Sequence, residues 1–182
     1  MSKSIDSTEI RALSPEQVKE TVAVLADLVF EKLDDKPTAF VGMLTRGVPL
    51  ANRIAANIKE RGREIPVGTL DISLYRDDFD LGSDLPKLES SRIPFPIDGT
   101  RVIIFDDVLF TGRTIRAALD SLSDFGRPAK MELAVLVDRG WRELPIQPDY
   151  TGYLFETEAD ERVSVKLEEN DGEDGVFLTR RK

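Results

Sequence analysis

The segment Arg101-Val102-Ile103-Ile104-Phe105-Asp106-Asp107-Val108-Leu109-Phe110-Thr111-Gly112-Arg113-Thr114 constrains the fold more than any other part of the chain. Residues 101–105 form a continuous apolar run, the pattern of a strand buried on both faces of a parallel sheet. Two carboxylates, Asp106 and Asp107, end that run, and a short turn leads to a helix predicted over 111–125. A helix start leaves backbone N–H groups unpaired and carries partial positive charge, so it receives an anion. Gly112 lets a phosphate approach the backbone, the Thr111 and Thr114 hydroxyls add donors, and Arg113 adds charge. An acid pair repels a bare phosphate. Its presence makes sense for a ligand that also offers neutral hydroxyls or a metal, as a ribose 5′-phosphate does. In the plainer alternative, Asp107 caps the helix, Gly112 serves the turn and the threonines are solvated.

The flanking sequence extends the same alternation. Ser14-Pro15-Glu16-Gln17 reads as a capping box opening a helix that ends before Asp34-Asp35-Lys36-Pro37. Strands are predicted over 38–44, 67–75 and 131–137, with a second amphipathic helix over 48–61. Short strands follow at 150–157, 163–167 and 176–179, with an acidic turn at 170–175 between the last two. Residues 1–13 read as a loose leader, and the polar, Pro- and Gly-bearing stretch 76–99 as a lid loop. The expectation is one α/β domain over 1–182, with a central, mostly parallel sheet flanked by helices.

Composition removes several chemistries. The 182 residues include no cysteine and no histidine, so thiolate catalysis, disulfides, Ser-His-Asp triads and His or Cys metal sites are excluded. Oxygen-ligated Mg²⁺ stays open. The net charge of -9 argues against a generic nucleic-acid-binding surface. No apolar run is long enough to span a membrane, the N-terminus does not read as a targeting signal, and a cytoplasmic protein is expected.

The acid pair, turn and Thr111-Gly112-Arg113-Thr114 together resemble the phosphoribosyl pyrophosphate (PRPP) motif of type I phosphoribosyltransferases. Thr45-Arg46-Gly47, after the first predicted parallel strand, resembles that family's pyrophosphate loop. Asp71-Ile72-Ser73-Leu74-Tyr75-Arg76-Asp77-Asp78 and Leu136-Val137-Asp138-Arg139-Gly140-Trp141-Arg142-Glu143-Leu144-Pro145-Ile146 resemble the PyrR branch, pyrimidine operon regulators that are also uracil phosphoribosyltransferases. The resemblance runs from about Val18 to Leu167.

It implies transfer of phosphoribosyl from PRPP to uracil, giving UMP and pyrophosphate, with Mg²⁺ carried by the PRPP rather than held directly by protein. Asp106, Asp107 and Arg46 would be catalytic. PRPP and nucleotide would be bound by Thr45, Arg46, Gly47, Asp106, Asp107, Val108, Thr111, Gly112, Arg113 and Thr114. Asp138 and Arg139 would lie at the base, under a hood formed by about 138–160, and Tyr75 and Arg76 would begin the lid. A homodimer or assembly of dimers, and pyrimidine leader RNA as a partner, are further implications. Against the RNA partner, this chain has Trp141 where the family commonly has His, and acids or Gln at Gln147, Glu156, Glu158, Asp160 and Glu161 where it is often basic. Two other readings stay open: a non-catalytic UMP or PRPP sensor that binds RNA, and a phosphoribosyltransferase for a purine base.

Overall fold

A computed structural model describes residues 8–73 and 91–180 of the chain. Five strands form one parallel sheet in the order β3-β2-β4-β5-β6: β2 (Thr38–Met43), β3 (Val67–Leu70), β4 (Arg101–Leu109), β5 (Lys130–Asp138) and β6 (Tyr150–Leu154). Three helices flank it: α1 (Pro15–Glu31), α2 (Gly47–Lys59) and α3 (Arg113–Ser123). The expected α/β architecture is present.

Side chains along β4 alternate between the two cores, as a period of two requires. Ile103 and Phe105 pack with Leu50, Ile54 and Ile58 of α2 and with Leu25 and Val29 of α1. Val102 and Ile104 pack with Ile115, Ala118 and Leu122 of α3. The chain thus leaves β2 for one face of the sheet and leaves the adjacent β4 for the other. Such a reversal opens a crevice at the carboxyl ends of the two strands, where open α/β sheets bind ligands.

The capping box at α1 is formed as expected. Ser14 Oγ accepts from the Gln17 backbone N–H at 3.3 Å, and Gln17 Oε1 accepts from the Ser14 N–H at 2.9 Å. Glycine sets how closely α2 approaches the sheet. A Cβ on Gly47 would lie 2.2 Å from the Phe105 carbonyl oxygen, and one on Gly42 2.5 Å from Val48 Cα. The peptide bond between Leu44 and Thr45 is cis.

Several expectations are corrected. Within the loose leader, residues 8–13 form β1 (Thr8–Leu13), which pairs antiparallel with β8 (Gly175–Arg180). β8 also pairs with β7 (Glu161–Lys166), so the second sheet is β1-β8-β7, with the short α4 (Glu168–Asp171) between β7 and β8. The stretch expected as a hood, 138–160, divides: residues 150–154 extend the parallel sheet, and the separate small sheet is built from both ends of the chain. The strand expected over 67–75 stops at Leu70. Most of the lid segment, and Tyr75 and Arg76 with it, lies outside the described residues. Residues 91–99 are described, with Arg92 bridged to Thr69 and Ile97 buried.

Candidate functional site

A cleft of about 1110 Å³ opens at the carboxyl ends of β2, β4 and β5. Three strand ends supply its floor: Met43 at the end of β2 with Leu44, Thr45 and Arg46 after it, Asp106, Asp107 and Val108 on β4, and Arg139 after β5. Phe110 and Thr114 add the turn after β4 and the start of α3. The small sheet closes the other side with residues 159–166 and Thr179. Seven of the expected residues (Thr45, Arg46, Asp106, Asp107, Val108, Thr114 and Arg139) therefore meet around one space although they are far apart in sequence.

The acid pair lies within β4 rather than after it, because pairing with β5 continues to Leu109 opposite Asp138. Asp106 is buried, and its Oδ1 accepts from the Asp107 N–H at 2.9 Å. Asp107 is half-buried and near enough to Arg46 to favour the charged guanidinium, after the larger effect of Asp171. Gly112 sits at the N-cap of α3 with φ 89, a left-handed conformation that glycine adopts without strain. The N–H groups of the first turn of α3 have no acceptor within the helix. Arg113 is exposed, and its Nε donates to Glu143 at 2.7 Å. Gly47, Thr111, Gly112, Arg113 and Asp138 are not among the residues lining the cleft.

The turn after β5 braces the turn that leads into α3. The Glu143 and Leu144 N–H groups donate to the Thr111 carbonyl at 3.0 and 3.2 Å. Arg142 donates to the carbonyls of Phe110, Gly140 and Ile146 and to Asp138 Oδ2 at 2.6 Å. Asp138 also accepts from the Gly140 N–H, so its carboxylate serves the turn. Trp141, with φ 60, donates its indole N–H to the Thr157 carbonyl at 2.9 Å.

Arg139 differs. It is 5% exposed, lines the cleft, and neither Nε nor Nη2 has a hydrogen-bond partner. Burial holds its guanidinium below the ordinary arginine range, an effect that Glu161 only partly offsets. Buried donors of this kind are rare because leaving them unpaired costs about 1–3 kcal/mol.

Arg46, at the N-cap of α2, is engaged by Asp171 of α4 through two bonds, Nε to Oδ2 at 2.9 Å and Nη2 to Oδ1 at 2.6 Å. Arg53 makes matching bidentate pairs with Glu169 and Asp174. The acidic turn between β7 and β8, and residues 162–166 of the cleft wall, had no functional mark in the sequence. Only the fold brings them to the site.

The fold and the site define a phosphoribosyltransferase. The phosphoribosyl transferase domain family matches residues 13–167. The chain belongs to this family and, within it, to the PyrR proteins. It is 48% identical over 175 residues to the "Bifunctional protein PyrR" of Roseiflexus sp. (strain RS-1), covering 94% of this chain and 96% of the relative. It is 59% identical over 145 residues to that of Desulfosudis oleivorans, covering 79% of this chain and 80% of the relative. The Thermus thermophilus protein of the same name is 49% identical over 169 residues, covering 92% and 93%. Among solved structures, a hypoxanthine-guanine phosphoribosyltransferase from Bacillus anthracis superposes with a TM-score of 0.67 at 18% identity, over 94% of this chain and 97% of that one. A Staphylococcus aureus hypoxanthine phosphoribosyltransferase gives 0.67 at 20% identity, over 95% and 92%. At these identities the structural likeness concerns the fold and leaves the base open.

Proposed function

We propose that this protein transfers the phosphoribosyl group of PRPP to uracil, forming UMP and pyrophosphate, and that it couples this activity to regulation of pyrimidine genes through leader RNA. The observation that carries the enzymatic reading is the meeting, in one cleft, of an acid pair, a helix N-terminus and a loop arginine, each suited to a different part of PRPP. Asp106 and Asp107 take the ribose hydroxyls, for which carboxylates are acceptors. The start of α3, with Thr111, Gly112, Arg113 and Thr114, takes the 5′-phosphate. Thr45, Arg46 and Gly47 take the pyrophosphate, and Arg46 stabilises the charge that grows on it as it leaves. The chemistry asks for positioning and charge stabilisation at the anomeric carbon, and a chain without histidine supplies both.

Arg139 reads the base. It lines the cleft and carries two buried donor nitrogens without a partner, and a pyrimidine carbonyl is the neutral acceptor they lack. The cleft offers hard oxygen donors, Asp106 and Asp107, of the type Mg²⁺ takes. Bound there, Mg²⁺ would neutralise charge on the pyrophosphate. No helix among the described residues is long and apolar enough to cross a membrane, and a cytoplasmic site of action is part of this proposal.

Two observations bear on the RNA partner. Glu156, Glu158 and Asp160 are exposed, and the Arg142 donors are committed to the turn they brace. Phosphate contacts supply most RNA affinity, so this surface predicts weak binding. The test is a competition: PRPP, Mg²⁺ and equimolar uracil and hypoxanthine with the intact protein, followed by quantification of both nucleotides, and in parallel a leader-RNA titration at physiological salt. UMP as the sole product supports the uracil assignment. IMP in excess replaces it with a purine enzyme. RNA binding without either nucleotide makes the site a sensor.

A further inference from the structure

The Arg46–Asp171 pair joins two parts of the molecule that sequence holds 125 residues apart. Arg46 lines the cleft, and Asp171 lies at the end of α4, which links the edge strand β7 to the central strand β8 of the small sheet. Asp171 is itself fixed: its Oδ2 accepts from the Leu167 N–H at 2.9 Å, and Leu167 is fully buried. The side chains of Asp171 and Arg46 are 16% and 35% exposed, so solvent does not separate the pair.

The geometry of the contact matters more than its charge. A guanidinium has five N–H groups in a rigid plane. Asp171 uses the edge made by Nε and Nη2 and leaves both N–H groups of Nη1 outside the pair. A carboxylate docked on that edge fixes the plane of the fork. The turn does not depend on this contact, because Arg53, on the same helix, holds Glu169 and Asp174 independently.

We propose that Asp171 is a positioning residue for phosphoribosyl transfer: it locks the Arg46 guanidinium edge-on so that its remaining donors are presented to the pyrophosphate of PRPP. This rests on the assignment of Arg46 to the pyrophosphate. Asp171 touches no substrate, and it acts by removing the rotamer freedom that a long side chain would otherwise lose on binding.

The test compares Asp171→Asn, Asp171→Glu, Glu169→Gln and Arg46→Ala in steady-state kinetics and in UMP binding. Asp171→Asn raises the KM for PRPP about tenfold, the effect of one lost charge-assisted bond. It leaves kcat within about twofold and the UMP Kd unchanged, since UMP has no pyrophosphate. Asp171→Glu recovers part of the loss, and Glu169→Gln, which weakens the turn without touching Arg46, leaves KM unchanged. Arg46→Ala shows a larger KM effect, and adding Asp171→Asn to it changes nothing further. If Arg46→Ala leaves PRPP binding intact, the pyrophosphate assignment itself fails. If Arg46→Ala impairs PRPP but Asp171→Asn does not, that assignment stands and the positioning role is overturned. A lower KM in Asp171→Asn would also overturn it, by showing Asp171 to be a competitor for Arg46. Equal losses for PRPP and UMP in that variant would overturn it as general damage to the site.

Discussion

The Arg139 guanidinium lies over the ring of Phe110, 4.0 Å from its centroid, and two of its buried nitrogens have no hydrogen-bond partner. The ring holds the plane of the cation without satisfying its N–H groups. Two buried donors are thus left unsatisfied, at a cost to the protein.

That cost can be measured. Arg139→Leu should lower kcat/KM for uracil by roughly 10- to 100-fold, the effect of losing a charged hydrogen bond. The same substitution should leave the melting temperature unchanged or raise it, because an unpaired buried charge is replaced by an apolar side chain. A large drop in melting temperature with unaltered kinetics would make Arg139 a structural residue instead.

Asp107→Asn should leave folding intact and reduce turnover by roughly 10²-fold, as loss of a charge placed at the reacting centre does. Asp107 is half-buried at the cleft, so the amide fits. Circular dichroism establishes the fold and initial rates the loss. Full activity would remove Asp107 from the mechanism.

Gly47→Ala should destabilise the domain by about 1–3 kcal/mol or more, since overpacking forces backbone to move. The added methyl would meet the Phe105 carbonyl at 2.2 Å, and neither α2 nor β4 can yield cheaply there. Thermal unfolding should show a fall of roughly 2–4 °C per kcal/mol. An unchanged melting temperature would mean that α2 shifts without cost.

Acid should destabilise the protein through Glu132. Its side chain is 3% exposed and receives bonds from Arg101 and Lys130, while Arg101 also donates to Tyr150 at 2.9 Å. Burial pushes the Glu132 carboxyl up, but those bonds outweigh it and hold it below 4.5. A depressed carboxylate adds stability that is present above the unfolded value and lost as pH falls through the folded one. The melting temperature should therefore drop as pH goes below about 4.5, and Glu132→Gln should flatten that part of the profile while lowering stability by about 3 kcal/mol at pH 7. An identical acid profile in the variant would assign the lability to other carboxylates.

Local features of the chain were legible before the fold was known. Ser14 and Gln17 announced the start of α1, the run 101–105 announced the central strand, and Asp106, Asp107 and Thr114 lie at the cleft. What was missed depends on distant partners. β1 looked like a leader because its hydrogen bonds go to β8 at the other end of the chain, and nothing near residues 8–13 signals that pairing. β6 was placed in a hood because a five-residue strand carries little pattern, and its membership of the large sheet is settled by its register with β5. Asp171 reads only as part of an acidic turn and Arg53 is not singled out, because their pairing depends on the small sheet bringing that turn against α2.

The most direct test of the account is the initial rate of UMP formation by the unmodified protein from uracil and PRPP with Mg²⁺. The account predicts saturable turnover in the ordinary enzymatic range, on the order of 1 s⁻¹ or faster, with pyrophosphate released in equal amount. No UMP, from a folded protein that still binds UMP and PRPP, would contradict it and leave the cleft as a sensor.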